Sequence, residues 1–377
     1  MTISVNPFCS IAGLHDIKTF HSQHASKDED AHIFSIAADA MENVVDQSQS
    51  IIVNGVCGSG KSAVCEQITR FLLKHKHSAV SDVSSSIYSL EDEILACVFI
   101  LECFGSAHTL LSDNSSRFVK YVKFQVETNV NANAKINEKY SFGRKGLNAG
   151  SVVIGANIAC CMLEKSRVVR QPVDEQSFNV FYHMLFGLNV HALGVMGLSL
   201  SQSFRFLSGG LSQDAAHQSS LKNSGVKSVG FSQQYADDFV KLQIAFEKIG
   251  FAKELQSEVF KIIAVVLHLG NLMLVPLVLV GDVGNTTCSA ATSSQFSFVA
   301  EVLGLDNLDS LLTTKYINKD GRSSVCSVEL TVDQSADAAC ALAKDLYDKL
   351  FAWLGWWVDA MQSLATSMLK TVTMART

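Results

Sequence analysis

The sequence predicts an α/β fold, in which a sheet with flanking helices is followed by a mainly helical region. The first observation is the order of strand, glycine-rich loop and helix, with an apolar strand predicted at 50–53 and a helix at 61–74. The second is the alternation of apolar and polar residues at 121–127, which is typical of a strand. The third is helical periodicity later in the chain, at 178–188, 237–249, 255–269 and 335–354.

Composition favours a large, folded protein without a nucleic-acid partner. Of the 377 residues, 48% are hydrophobic and 18% are charged, which argues against intrinsic disorder. The net charge is −6, and binding to nucleic-acid phosphates requires a basic patch. The ten cysteines are scattered, without a CxxC pair, and the N-terminus lacks the pattern of a secretory signal. These features predict reduced thiols and a cytoplasmic location.

One apolar stretch, 262–280, is about as long as a membrane span of roughly 20 residues. It is interrupted by four residues that disfavour a continuous span: His268, Gly270, Asn271 and Pro276. We therefore predict that a helix turns here into a strand, and that the chain has no membrane span. Two polar stretches, 217–230 and 286–297, are predicted to be connections.

A phosphate-binding loop is the strongest motif of the chain. The pattern G-x-x-x-x-G-K-[ST] is satisfied by Gly55, Val56, Cys57, Gly58, Ser59, Gly60, Lys61 and Ser62. Glycines allow backbone N–H groups to surround phosphates at the positive end of the following helix. Lys61 would reach the β- and γ-phosphates and Ser62 would bind Mg²⁺. A chance glycine–serine turn is the alternative, which the flanking strand and helix disfavour.

A second polar segment, 113–118, has the chemistry to assist phosphoryl transfer. The hydroxyls of Ser115 and Ser116 can bind Mg²⁺ and contact a γ-phosphate, and Asn114 can donate to phosphate oxygens. Arg117 carries a planar fork suited to a carboxylate partner. Alone, the segment would be interpreted as a polar turn, and its distance from the phosphate-binding loop favours the functional interpretation.

These motifs resemble those of the myosin motor head, in family order across nearly the whole chain. The 113–118 segment matches the first nucleotide switch, N-D-N-S-S-R-F-G-K-F, and the preceding 101–109 resembles L-E-A-F-G-N-A-K-T. Asn6 and Pro7 resemble the start of the purine-binding loop. Further matches are 163–169 to L-E-K-S-R-V, 267–271 to L-H-L-G-N and 342–351 to A-L-A-K-x-x-Y-x-x-L-F.

The resemblance implies a P-loop NTPase motor-head core with a central β-sheet and the first switch at 1–130. Residues 131–377 would form a mainly helical upper-cleft subdomain of a truncated head. The implied cofactors are ATP, held by 55–62, Asn6, Pro7 and Asn114, and Mg²⁺, held by Ser62 and Ser116. Ser115, Ser116 and Arg117 would act at the reacting phosphate. The implied partners are actin filaments of the cytoplasmic cytoskeleton, and light chains only if the full-length protein has a lever arm.

Departures from the family pattern limit this expectation. No D-I-x-G-F-E second switch, relay, converter or tail is found, so Arg117 is expected to lack a carboxylate partner. A myosin-type ATPase is implied, but the chain alone is expected to be inactive. The alternative is a non-motor nucleotide-binding pseudo-enzyme or scaffold derived from a myosin head. Cys9 and Ser10 replace basic residues of the purine loop, which predicts altered adenine contacts.

Several other residues are predicted to be structural. Glu164 and Lys165 belong to a charged cluster that is expected to tie a strand end to a loop. His268 is expected to be a buried, hydrogen-bonded histidine. Trp353, Trp356 and Trp357 would form either a packing face or an exposed surface.

Overall fold

The computed structural model describes residues 2–9, 11–17, 20, 32–74, 89–127, 151–207, 227–279, 282–288, 292–318 and 325–374. The chain divides into two compact units that are each discontinuous in sequence. The first consists of Met1–Phe99, Lys120–Cys160 and Gly355–Thr377, and the second of Ile100–Val119 and Cys161–Leu354. The functional division at residue 130 remains a prediction.

The described elements are mostly helices, with short strands between them. The helices are α1 Ile33–Asn43, α2 Lys61–Lys74, α3 Leu90–Gly105, α4 Asn179–Gly187, α5 Val190–Val195, α6 Lys227–Lys248, α7 Lys253–Asn271, α8 Ser293–Leu303, α9 Leu308–Thr313 and α10 Val332–Met374. The strands are β1 Ser106–Thr109, β2 Ser112–Ser116, β3 Val119–Glu127, β4 Val152–Cys161, β5 Leu274–Leu279, β6 Asp282–Cys288, β7 Thr314–Asn318 and β8 Val325–Glu329. Short 3₁₀ turns occupy Lys165–Val168 and Arg205–Leu207.

The described strands form four two-stranded sheets, in which consecutive strands pair: β1 with β2, β3 with β4, β5 with β6 and β7 with β8. The mixed α/β character is therefore confirmed. Residues 48–56, which include the strand predicted at 50–53, carry neither helix nor strand. That prediction was wrong because an apolar extended segment becomes a strand only where another strand accepts its hydrogen bonds.

Aromatic rings form the centre of the first unit. Phe34 of α1 stacks on Phe71 of α2 with ring centroids 4.7 Å apart, and the edge of Phe20 packs against both. Ile51, just before the glycine-rich loop, is partly buried against this cluster. The core therefore anchors both ends of the loop, through Ile51 on one side and α2 on the other.

The second unit is built around Tyr347 of α10. Its fully buried ring stacks on Phe178 and Phe181, with centroids 4.9 and 5.3 Å away, and its hydroxyl donates to the Phe104 carbonyl at 2.6 Å. In α7, Gly270 allows the ring of Phe206 to pack against the helix backbone, since a Cβ there would lie 2.7 Å from that ring. This close approach explains the glycine of the L-H-L-G-N motif.

Most predicted helices are confirmed, although their ends differ. The helix predicted at 237–249 is longer, because α6 begins at Lys227 within the stretch predicted to be a polar connection; residues 217–226 lie outside the described part of the chain. The connection predicted at 286–297 was wrong: it contains the end of β6 and the start of α8. Pairing with β5 supplies the strand contacts that the polar sequence of β6 does not reveal.

The apolar stretch 262–280 forms a helix, α7, followed by strand β5, as predicted. No helix in the described part of the chain is long and apolar enough to cross a bilayer. The three tryptophans do not share one packing face. Trp353 packs edge-on against Phe251, whereas Trp356 is 65% exposed.

Candidate functional site

The glycine-rich loop ends where α2 begins, at Lys61, as the motif predicts. Gly58 and Gly60 have φ angles of 76° and 86°, in the left-handed region that glycine adopts without strain. These two positions turn the chain into the first turn of α2, where Val64 N–H donates to the Gly60 carbonyl at 3.0 Å. The glycine spacing of the motif is therefore used to aim the loop at a helix N-terminus.

The Lys61 ammonium lies against the loop. Its Nζ donates to the carbonyls of Gly55 and Val56, both at 2.7 Å. The Ser59 N–H donates to the Val56 carbonyl at 3.3 Å and narrows the loop further. The positive charge is thus held beside the backbone of the loop, where a phosphate would be bound.

Asn6 lies on the same loop, although 52 residues separate it from Gly58. Its Nδ2 donates to the Gly58 carbonyl at 2.8 Å, while its Oδ1 accepts from Phe8 N–H at 3.0 Å. Pro7 between them is exposed. The structure therefore brings Asn6 onto the glycine-rich loop and leaves Pro7 and Phe8 at the adjacent surface.

The predicted switch lies in the second unit, on the antiparallel hairpin of β1 and β2. Ser116 pairs with Ser106 and Ser115 with Ala107. Side chains alternate along a strand, so Ser115 is buried with only 5% exposure while Ser116 is exposed. The exposed Asn114 accepts a hydrogen bond from Asn179 at 3.0 Å. Of the two serines, Ser116 is the one whose side chain can reach a ligand in this conformation.

Arg117 has a carboxylate partner, contrary to the sequence expectation. Its Nε binds Glu164 Oε2 at 2.5 Å, and the Glu164 N–H donates to the Arg117 carbonyl at 2.9 Å. The Arg117 N–H also donates to the Gly105 carbonyl at 2.8 Å. The expectation failed because the partner is 47 residues away and was sought only in a second switch.

Glu164 also binds Arg167, which is 2% exposed and donates from Nε to Glu164 Oε2 at 3.0 Å. A second carboxylate, Glu175, lies 2.8 Å from the guanidinium of Arg167. Burial alone would raise the pKa of Glu164, but the hydrogen bonds from Arg117 and Arg167 outweigh it and lower that pKa. Glu164 therefore connects the residue after β2 to the 3₁₀ turn at Lys165–Val168, as predicted for this cluster, and the cluster includes Arg117 of the predicted switch.

Two histidines of the second unit are buried. His268 is fully buried and its Nε2 is 2.7 Å from the Met196 carbonyl, which confirms the predicted core histidine. His183 of α4 was not singled out by its sequence context, yet it is only 4% exposed. Burial lowers the pKa of His183 to about 4.

Comparison with known proteins identifies the family. Residues 1–370 match the myosin head (motor domain) family. Similar relatives include myosin-2B of Naumovozyma castellii, 29% identical over 93% of this chain, and unconventional myosin-XV of Homo sapiens, 30% identical over 96%. Unconventional myosin IC of Drosophila melanogaster is 31% identical over 93% of the chain.

The chain therefore belongs to the myosin head family. It spans 22% of the length of the yeast relative, 9% of the human one and 30% of the fly one.

Proposed function

We propose that this chain binds Mg·ATP through the loop of residues 55–62. The observation that carries the proposal is the position of Lys61: it opens α2, and its ammonium is held at the loop carbonyls of Gly55 and Val56. A bound phosphate would take over this charge in exchange for two neutral carbonyls. A phosphate adds Coulomb attraction between two opposite full charges, which a neutral carbonyl does not offer, so the exchange favours the phosphate.

The remaining residues fit magnesium as well as phosphate. Mg²⁺ prefers oxygen ligands and binds proteins through few side chains together with substrate phosphates. Ser62 supplies a hydroxyl in the first turn of α2. Ser116 is proposed as a second ligand on the family match alone. The family match supports the proposal that four further residues contact the same nucleotide: Asn114, Ser115, Ser116 and Arg117.

The full-length protein is proposed to couple ATP hydrolysis to movement on actin filaments in the cytoplasmic cytoskeleton. Membership of the myosin head family supports this proposal. Light chains are partners only if a lever arm is present. A non-motor nucleotide-binding scaffold is the alternative, and phosphate release from the full-length gene product, with and without filaments, distinguishes the two. Actin-stimulated release supports the motor, and nucleotide binding without it supports the scaffold.

Replacing Lys61 by alanine tests the phosphate site. The change removes the cation of the loop, and Mg·ATP binding should fall by at least a hundredfold, on the order of 3 kcal/mol for a lost charge-assisted contact. Titration with a fluorescent ATP analogue measures it. Lys74→Ala at the other end of α2 is the matched control, because it removes only a surface ion pair with Glu91. Equal affinity of Lys61→Ala and wild type would exclude the loop as the nucleotide site.

A further inference from the structure

The hydroxyl of Ser59 is the feature of the loop that the motif does not explain. Position 59 is one of the variable x positions of G-x-x-x-x-G-K-[ST]. In this chain the Ser59 Oγ is shielded from solvent and has no hydrogen-bond partner among the described residues. A buried hydroxyl without a partner is unfavourable, so some gain elsewhere must offset it.

Several other polar groups of the loop already have hydrogen-bond partners. The carbonyls of Gly55 and Val56 accept from Lys61, and the Gly58 carbonyl accepts from Asn6. The Gly55 N–H donates to Asn54 Oδ1 at 2.8 Å. The Ser59 hydroxyl therefore remains an uncommitted donor in a loop where the carbonyls of Gly55, Val56 and Gly58 already accept hydrogen bonds.

The hydroxyl is directed at the start of the loop. A Cβ placed on Gly55 would lie 2.6 Å from Ser59 Oγ, closer than real side chains approach. Gly55 therefore makes room for this hydroxyl. The serine hydroxyl thus packs on Gly55, the residue whose carbonyl accepts from the Lys61 ammonium.

We propose that the Ser59 hydroxyl donates a hydrogen bond to a phosphate oxygen of the bound nucleotide, as a third side-chain contact beside Lys61 and Ser62. The proposal rests on the proposed function of the loop. A phosphate oxygen carries negative charge, and a hydrogen bond to a charged group is worth a factor of roughly ten to a hundred in affinity. The same contact would bind any ligand that brings a diphosphate or triphosphate to the loop.

The test compares wild type with Ser59→Ala for ATP, pyrophosphate and adenosine. We expect affinity for ATP and for pyrophosphate to fall by about tenfold or more, with adenosine unchanged. The unfolding midpoint should stay the same or rise, because the variant removes an unpaired buried hydroxyl and breaks no hydrogen bond. Ser48→Ala, an exposed serine in the same unit, is the matched control and should bind as wild type does.

A second variant keeps the inference testable if Ser59→Ala disturbs the loop. Gly55→Ala should weaken ATP binding because its methyl group displaces the hydroxyl, and it should cost little more once Ser59 is alanine. Additive losses would overturn the inference, as would Ser59→Ala binding within twofold of wild type while Lys61→Ala fails. If Lys61→Ala also binds normally, the proposed function falls and this inference falls with it.

Discussion

His183 should make the stability of this protein depend on pH. The imidazole is 4% exposed in α4, its Nδ1 has no hydrogen-bond partner among the described residues, and Tyr235 packs on it with centroids 5.8 Å apart. Burial lowers its pKa to about 4, opposed by Asp238 and aided by Lys241. The folded protein therefore keeps His183 neutral at pH values where the unfolded chain already protonates it.

The sign and size follow from proton linkage. The folded pKa lies below the unfolded value of roughly 6.5, so the unfolded state binds the proton first as the pH falls. The stabilising contribution is complete above about pH 6.5 and is lost between about 6.5 and 4. One pKa unit corresponds to about 1.4 kcal/mol. Lowering the pH from about 7.5 to 5 should therefore reduce the free energy of unfolding by about 2 kcal/mol through this residue alone.

Urea unfolding of wild type and His183→Phe across that pH range measures the effect. The phenylalanine keeps an aromatic ring but cannot titrate. The free energy of unfolding of wild type, measured relative to that of His183→Phe, should therefore fall by about 2 kcal/mol toward pH 5. Comparing slopes removes any constant cost of the substitution. His191→Gln at an exposed site of α5 is the control and should follow wild type. A parallel pH dependence of His183→Phe and wild type would refute the reasoning.

Two further predictions concern charge and thiol chemistry. Glu164→Ala should lower the free energy of unfolding by about 1–3 kcal/mol, because it leaves the buried Arg167 with fewer acceptors. Glu164→Gln should lower it less. The control Glu66→Ala, which removes an ion pair with Arg70 at the surface, should lower it by about 0.5 kcal/mol or less. Equal losses for Glu164→Ala and Glu66→Ala in urea unfolding would contradict this prediction. Cys57 is exposed in the loop and should be alkylated faster than the half-buried Cys160, and Mg·ATP should protect it. Mass-spectrometric labelling at equal rates, or without protection, would contradict that.

Local patterns were sufficient for most of the predicted helices and for the glycine-rich loop. Lys61 was placed at the start of a helix because G-K-[ST] ends a loop there, and α2 begins at that residue. Periodicity located α4 and α7 to within two residues at their N-termini, because each buries an apolar face against its own unit. Asn6 was assigned to the site only through the family resemblance, and its contact with Gly58 joins positions 52 residues apart.

Pairing between distant segments could not be predicted from one sequence. The apolar residues at 50–53 have the composition of a strand, yet strand formation depends on a neighbour that the local pattern does not specify. Conversely, β6 has a polar sequence and forms because β5 pairs with it. The partner of Arg117 was missed for the same reason, since an ion pair leaves no periodic signal in either segment.

The Arg117–Glu164 pair shows that the arginine of the predicted switch segment, 113–118, has its carboxylate partner within the same unit. Without a nearby carboxylate, the charge of Arg117 beside the β1–β2 hairpin would have to be neutralised by an acidic group from elsewhere in the protein. Glu164 supplies that balance within the same unit, and the backbone of Arg117 is held by donating to the Gly105 carbonyl and accepting from the Glu164 N–H. Because Glu164 is shared with the buried Arg167, any other carboxylate that bound Arg117 would have to replace a contact that also serves the core. The position of Arg117 is therefore fixed by contacts within this unit. Phosphoryl transfer would require further groups to position the attacking water.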